Sequence, residues 1–176
     1  ILIRTTKLSF LLLGTGKNLK PNYESEKLGG ILYSSISNSG FKNITIFGTE
    51  ILPSTKQEKI LAKFSIGMEM RSYSFLKYKT KPNDNEQLNI KSVKIVTKKG
   101  SYLKNQLKIN KELYSGISMA RDLISEPANI LTPERFIKKI NELTKFGIEI
   151  DILDEEKMNS LGMNALLGVG KGSKHK

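Results

Sequence analysis

Residues 44–47, Ile-Thr-Ile-Phe, and residues 93–97, Val-Lys-Ile-Val-Thr, decide the fold of this 176-residue chain. Both stretches are short, apolar and rich in β-branched residues, as is typical of strands. The sequence between them predicts a long helix over 56–78, whose apolar positions are Ile60, Leu61, Phe64, Met68, Phe75 and Leu76. Strands that alternate with helices of this length indicate an α/β fold with a largely parallel sheet.

The residues before this unit predict one more strand and one more helix. Residues 8–13 form an apolar run that Gly14-Thr15-Gly16 ends, as expected of a buried strand followed by a turn. Residues 26–38 carry Leu28, Ile31, Leu32 and Ser35 at helical spacing, and Ser39-Gly40 ends that helix. Residues 80–90 are polar and predict a loop.

A second long helix is predicted over residues 105–124. Its apolar positions step by three or four residues and predict a continuous buried stripe of Ile109, Leu113, Ile117, Ala120 and Ile124. Pro127 is expected to end the helix, because a residue before proline avoids the helical conformation.

The last third of the chain predicts a helix, a strand and a short helix. Thr132 is expected to cap the first, with Pro133 at its first position and Glu134 at its positive end. The side chains expected to face inward are Phe136, Ile137, Ile140 and Leu143. Alternation of Ile148, Ile150 and Ile152 with acidic residues predicts the strand, and Asp154 is expected to cap the short helix that follows.

Composition predicts a division into three parts. Charge changes near residue 100, so we expect an α/β domain over 1–100, a connecting helix over 101–130, and the start of a second domain over 131–176. The third part is too short to bury a core by itself.

Composition also excludes several classes of protein. No apolar run approaches the roughly 18–20 residues that cross a bilayer, and residues 1–4 show no signal-peptide pattern. The chain has no cysteine, which excludes disulfides and thiolate chemistry. Its one histidine, His175, cannot build a multi-histidine zinc site, and we interpret it as a solvated residue.

The chain is strongly basic, with a formal charge of +12. Residues 1–100 carry 17 basic and 7 acidic groups, which suggests an anionic partner such as nucleic acid. Only four of the basic residues are arginines, the side chain that favours bidentate phosphate contacts. The lysines are scattered, so we favour a solvated surface over a nucleic-acid site.

Four local patterns resemble functional sites, and each has a simpler explanation. Gly14–Lys17 and Gly168–Ser173 lack two of the residues that a phosphate-binding P-loop needs. The acidic cluster Asp151, Asp154, Glu155 and Glu156 could hold Mg²⁺ or Mn²⁺, but it also suits a helix start. Asn43-Ile44-Thr45 matches a glycosylation motif within a predicted strand, and we discount it. The aromatic residues Tyr73, Phe75 and Tyr78 could stack on bases, although core packing fits their spacing better.

Four segments of the sequence resemble the leucyl aminopeptidase family. The most specific is residues 120–134, Ala-Arg-Asp-Leu-Ile-Ser-Glu-Pro-Ala-Asn-Ile-Leu-Thr-Pro-Glu, which is similar to the junction motif of that family. Residues 161–173, Leu-Gly-Met-Asn-Ala-Leu-Leu-Gly-Val-Gly-Lys-Gly-Ser, resemble a second family motif. Residues 73–81 and 12–17 add weaker matches in the same order. The departures are Ser125, Asn164 and Lys171, which replace the family's Asn, Gly and Gln.

The resemblance implies an N-terminal α/β domain of macro-like topology without its first strands, a linking helix, and the truncated start of an α/β metallopeptidase domain. It implies a cytoplasmic hydrolase, an exopeptidase that uses two divalent metal ions, Mn or Zn, to release N-terminal residues, leucine preferred, from peptides. It also implies a homohexamer, no membrane association, and possible DNA binding, since some family members bind DNA. An oligomerisation or DNA-binding module therefore stays open as the alternative function.

The resemblance carries no catalytic or metal-binding residue onto this chain. The family's later motifs, of the G-K-G-x-T-F-D-S-G-G and N-T-D-A-E-G-R-L kind, are absent, so we expect these 176 residues alone to be inactive. The residues that match the junction motif are assigned a structural role, and they are Arg121, Asp122, Glu126, Pro127, Asn129, Thr132, Pro133 and Glu134.

Overall fold

The computed structural model describes residues 2–4, 9–16, 19–48, 56–80, 90–98 and 100–173. The chain divides into two compact units, Ile1–Ser118 and Met119–Lys176. Within the described ranges, no helix combines the length and the apolar character that crossing a bilayer requires. Mixed α/β structure is confirmed, with the α/β arrangement in the first unit.

The first unit contains the predicted strand–helix–strand unit. Strand β3 (Asn43–Phe47) precedes helix α2 (Gln57–Ser72), and strand β4 (Ser92–Val96) follows it. The two strands pair in parallel, with Asn43 opposite Ser92 and Phe47 opposite Val96. Ile44 and Ile46 on one face of β3 are half-buried against the core, whereas Thr45 on the other face is exposed. Most of the predicted loop 80–90 lies outside the described residues.

The expectation of one largely parallel sheet is corrected by the first two strands. Strand β1 (Leu2–Arg4) and strand β2 (Ser9–Leu11) form a separate antiparallel pair, with Leu2 opposite Leu11. Only four residues connect them, and a parallel pair would need a crossover of a dozen or more residues. The predicted strand over 8–13 is confirmed at Ser9–Leu11.

Helix α1 (Tyr23–Ile36) confirms the predicted first helix and has a side-chain cap at its start. The Oδ1 of Asn22 accepts a hydrogen bond from the backbone N–H of Glu24 at 3.0 Å. Gly40, four residues after the helix, has a left-handed φ of +79°, which favours glycine at this turn.

Helices α1 and α2 pack with their backbones in direct contact. A Cβ atom added at Gly67 would lie 1.9 Å from the carbonyl oxygen of Glu26, and one at Gly29 would lie 2.0 Å from that of Phe64. Only glycine fits at such distances, so these two positions fix how closely the helices approach. Beside the crossing, the Nζ of Lys63 lies 2.7 Å from Oε1 of Glu26.

Among the described residues, the core of the first unit consists of two clusters around α2. The larger cluster joins α1 to α2 through Leu32, Tyr33, Ile36, Phe64 and Met68, and half-buried residues of β2 and β3 pack against it. The smaller cluster joins α2 to helix α3 (Gly100–Ser125) through Leu61, Ala62 and Leu103.

Helix α2 is shorter than predicted. It ends at Ser72, whose hydroxyl donates to the carbonyl of Glu69 at 2.7 Å, and Tyr73 has an extended ψ of 132°. A serine hydroxyl that bonds to the preceding turn competes with continued helical bonding. Placing Phe75 and Leu76 on the helical stripe was therefore wrong.

Helix α3 is confirmed, but its predicted buried stripe is wrong. Ile109, Leu113 and Ile124 are 58%, 53% and 84% exposed. The packed face is instead the one that carries Leu103, Leu107 and Asn110, and Nδ2 of Asn110 donates to the carbonyl oxygen of Ala62 at 2.8 Å. Both faces show helical spacing, so periodicity alone could not choose between them.

The second unit contains helix α4 (Pro133–Asn141), a 3-10 turn (Glu142–Phe146), helix α5 (Glu155–Ser160) and helix α6 (Asn164–Gly170). No side chain among residues 119–173 is fully buried. Phe136, expected to face inward, is 44% exposed, while Ile137, Ile140 and Leu143 are half-buried.

The strand predicted around Ile148–Ile152 is wrong. These residues lie outside regular secondary structure, and Ile148 and Ile152 are exposed. A strand needs a hydrogen-bonding neighbour, and the described residues provide none for this segment.

Gly67→Ala is expected to lower the free energy of unfolding by about 1–3 kcal/mol, because the added methyl group meets the backbone of α1 and not a movable side chain. Gly116→Ala is the matched control, since a Cβ at Gly116 meets no atom within 4 Å. That variant is expected to gain up to about 1 kcal/mol from higher helix propensity. Urea denaturation measures both changes, and equal effects of the two substitutions would contradict the close crossing.

Candidate functional site

The candidate site is the junction segment, residues 120–134, which ends one helix and begins the next. Helix α3 ends at Ser125, and the backbone N–H of Glu126 donates to the carbonyl of Asp122 at 3.0 Å. The carbonyl of Pro127 then accepts from Ile130 and Leu131 at 2.8 and 2.9 Å. The chain therefore turns immediately after the proline that the sequence analysis expected to stop the helix.

Thr132 starts the next helix as predicted. It is extended, with φ −79° and ψ 162°, and its Oγ1 accepts a hydrogen bond from the backbone N–H of Arg135 at 3.4 Å. Pro133 occupies the first turn, and Oε1 of Glu134 lies 2.6 Å from the Nζ of Lys138. The capping prediction is confirmed.

All eight junction residues lie in this one segment. Arg121 and Asp122 are in the last turns of α3, Glu126, Pro127 and Asn129 are in the turn, and the remaining three begin α4. Arg121, Glu126 and Thr132 are half-buried, while the other five are exposed. The hydrogen bonds of this segment lie at the end of α3, in the turn and at the start of α4, which suits the structural role that the resemblance assigned. That role stays a prediction.

The described residues do not fit a divalent metal. In the ranges that the structure covers, no three histidine, aspartate or glutamate residues come together to hold one. In the acidic cluster, Oδ1 of Asp154 accepts a hydrogen bond from the backbone N–H of Lys157 at 2.8 Å. Oδ2 of Asp151 lies 3.5 Å from the Nζ of Lys157. The predicted cap of α5 is confirmed, and these carboxylates support a helix start.

Neither glycine–lysine segment forms a phosphate cradle in the part that the structure describes. Gly16 has a left-handed φ of +69°, but the next helix begins seven residues later, at Tyr23. Gly168 and Gly170 lie inside α6, where the backbone N–H groups belong to the helix. Lys17 and His175 are outside the described residues. The Oδ1 of Asn43, in the discounted glycosylation motif, accepts from the hydroxyl of Ser92 at 2.8 Å.

The three aromatic residues after α2 lie outside both core clusters. Phe75 and Tyr78 make an edge-to-face contact, with ring centroids 5.8 Å apart, and the Nζ of Lys77 lies 5.3 Å from the centre of the Tyr78 ring. Tyr78 is 49% exposed, so the expectation that these aromatics pack into the core is wrong for Tyr78. Tyr73 and Phe75 are half-buried.

Two titratable groups among the described residues of the first unit have shifted pKa values. Burial raises the pKa of the Tyr33 hydroxyl, and the nearby Tyr114 raises it further. Burial also raises the pKa of the Glu69 carboxyl, whose Oε2 has no hydrogen-bond partner among the described residues. Neither residue belongs to the junction segment.

The structure also shows a surface groove that the sequence analysis missed, here called the α1 groove. It has a volume of about 390 Å³ and is open to solvent. Its lining residues come from two helices and are Lys27, Gly30, Ile31, Ser34, Ser35 and Arg71. Arg71 follows Ser34 by 37 residues, so no local sequence signal connects the two sides of the groove.

Comparison with protein families relates the second unit to known enzymes. The family described as "Cytosol aminopeptidase family, catalytic domain" matches residues 118–176. This range contains the whole junction segment, residues 120–134, and all of the second family-like motif at 161–173.

Individual relatives match nearly the whole chain. A probable cytosol aminopeptidase of Rhizobium etli (strain CIAT 652) is 39% identical over 166 residues, which cover 93% of this chain and 33% of the relative. A probable cytosol aminopeptidase of Phytoplasma mali (strain AT) is 34% identical over 165 residues, with 92% and 33% covered. The chain thus spans 33% of the length of these relatives.

A solved structure supports the fold. A tomato leucine aminopeptidase mutant superposes with a TM-score of 0.74 at 18% sequence identity, covering 92% of this chain and 33% of that one. At this identity the likeness concerns the fold alone.

Glu69→Gln is expected to change the pH dependence of stability. Because the pKa of this carboxyl is raised in the folded state, its contribution to the stability of the fold is most favourable at low pH. That contribution is lost as pH rises through the folded pKa. The variant should therefore match the parent near about pH 4 and be more stable than the parent near about pH 8. Urea unfolding at both pH values measures the difference, with Glu112→Gln, at an exposed position of α3, as the control. A difference for Glu69→Gln that stays constant with pH would contradict the burial of this carboxyl.

Thr132→Ala is expected to loosen the start of α4 by about 1 kcal/mol, since the N–H of Arg135 loses its acceptor. Amide hydrogen exchange at residues 135–137 should become roughly fivefold faster. Thr132→Ser keeps a hydroxyl at the same position and should exchange like the parent. If the alanine and serine variants exchange alike, the cap contributes nothing to this helix.

Proposed function

We propose that this chain, which belongs to the cytosol aminopeptidase family, forms part of a metal-dependent exopeptidase that releases N-terminal residues, leucine preferred, from peptides. The observation that carries the proposal is the junction segment, residues 120–134. It carries the family's residues at every position but Ser125 among those that the motif fixes, and it lies entirely within the part that matches the family's catalytic domain.

In this proposal the chain has a structural role, and the groups that react lie elsewhere in the whole protein. The family implies a metal-dependent reaction, and two ions of Mn or Zn are proposed for the whole protein. The described residues do not fit such a site, because they bring no set of three metal ligands together. No step of peptide hydrolysis is therefore assigned to a side chain that the structure describes.

The eight junction residues are proposed to set the connection between two domains. Thr132 and Pro133 determine where α4 begins, and Pro127 determines where α3 ends. We propose the domain limits 1–100, 101–130 and 131–176, with 101–130 as the connection. The division of the chain after Ser118 lies within this connecting part.

Peptides are the proposed substrates, and the cytoplasm is the proposed location because the relatives carry the name cytosol aminopeptidase. A homohexamer is proposed for the full-length protein from the family resemblance. DNA binding rests only on the formal charge of +12 and on that resemblance, so it remains the secondary proposal.

Hydrolysis of leucine p-nitroanilide, with Mn²⁺ or Zn²⁺ added, tests the proposed activity. These 176 residues alone are expected to release no p-nitroaniline above background, because a Lewis acid needs ligands to hold it. A protein that contains them at the full length of the relatives is expected to turn over this substrate. N-acetyl-leucine p-nitroanilide is the matched control, since an aminopeptidase requires the free amine that acetylation removes.

Two outcomes would contradict the proposal. Metal-dependent turnover by the 176 residues alone would show that they hold the reactive groups after all. A full-length protein that is inactive with both metals, or that cleaves the acetylated substrate equally well, would not be an aminopeptidase.

A further inference from the structure

The α1 groove combines two cations with an exposed apolar side chain. Lys27, Ile31 and Ser34 lie on α1, and Arg71 lies in the last turn of α2. Ile31 is 48% exposed although its neighbour Leu32 is buried in the core. A large apolar side chain between basic groups is a surface on which a ligand with an anionic head and an apolar body can lie.

The guanidinium group of Arg71 is restrained by a hydrogen bond through Nε. Its Nε donates to the Oγ of Ser34 at 2.6 Å, and its two terminal nitrogens have no partner among the described residues. An arginine restrained through Nε keeps two parallel N–H donors, the geometry that binds two oxygens of one anion. Ser34 uses its oxygen as an acceptor here, so its hydroxyl hydrogen remains able to donate to the same ligand.

Glycine at position 30 leaves space beside this fork. A Cβ added at Gly30 would lie 3.8 Å from the Cβ of Arg71 and 3.6 Å from the carbonyl oxygen of Gly67. Any larger side chain would extend from that point into the groove. Glycine at position 30 therefore leaves the groove unfilled next to the guanidinium group of Arg71.

Lys27 supplies the second positive charge. It has no ion pair among the described residues, in contrast to Lys63, which pairs with Glu26 at 2.7 Å. Lys27 and Ile31 also line an adjoining depression of about 340 Å³, where Glu24 is the one acidic residue among the described lining residues. Among the residues that the structure describes, none that lines the α1 groove is acidic.

We propose that the α1 groove binds a small phosphate monoester, with the phosphate on Arg71, Lys27 and Ser34 and the organic part on Ile31. A phosphate monoester carries a charge of about −1.5 to −2 at neutral pH, which matches two cations, whereas a carboxylate carries only one charge. The groove volume of about 390 Å³ lies within the range of small-molecule sites. This binding is independent of peptide hydrolysis.

The proposal is tested by titrating the 176-residue chain with phenyl phosphate. Calorimetry measures binding, and NMR monitors the Nε–H signal of Arg71. Saturable binding is expected, with the NMR shift at Arg71. Arg71→Gln should weaken binding by roughly tenfold or more, and Lys27→Gln by several-fold. Lys59→Gln, which removes one charge from an exposed position of α2 outside the groove, is the matched control and should bind like the parent.

Three further ligands separate the contributions of charge and apolar contact. Inorganic phosphate should bind more weakly than phenyl phosphate because it lacks the contact with Ile31, and benzoate should bind more weakly because it carries one charge. Phenol should not bind. The proposal is overturned if benzoate binds as tightly as phenyl phosphate, if Lys59→Gln and Arg71→Gln weaken binding equally, or if no ligand saturates the groove at millimolar concentration.

Discussion

The close crossing of α1 and α2, in which Gly29 faces the backbone of Phe64 and Gly67 faces the backbone of Glu26, is the constraint on which the first unit depends. Because neither position has a side chain, the helix backbones meet, and Phe64 and Met68 then reach Leu32 and Ile36 to form the larger core cluster. The same approach brings Arg71 to Ser34, so the α1 groove is a consequence of the helix crossing. A longer distance between the helices would weaken the core and separate the two sides of the groove.

Local signals in the sequence predicted the elements that local physics determines. The β3–α2–β4 unit and the caps at Thr132 and Asp154 depend on side-chain branching and on hydrogen bonds within a few residues. The errors concern partners distant in sequence. The apolar alternation around 148–152 indicated a strand, but a strand also needs a neighbour, and α3 has two faces with helical spacing, of which only contact with Ala62 identifies the packed one.

The two candidate sites also differ in whether the sequence could predict them. The junction segment could be identified from sequence because its prolines and capping threonine stand at fixed spacings, and those residues do end one helix and begin another. The α1 groove could not be predicted, since Ser34 and Arg71 meet only after the helices pack. Catalysis is proposed for the whole protein. Within the described residues, the family-like junction segment forms helix ends, and no set of three metal ligands is present.

Among the described residues, those of 1–118 carry their own core around α1 and α2, whereas those of 119–173 contain no fully buried side chain. Native-state amide hydrogen exchange of the 176-residue chain tests this claim most directly, because it measures opening free energies segment by segment. The slowest exchange is predicted in α1 and α2, with much faster exchange throughout α4, α5 and α6. Equal protection of both units would contradict the claim and would show that the second unit is stable without a core of its own.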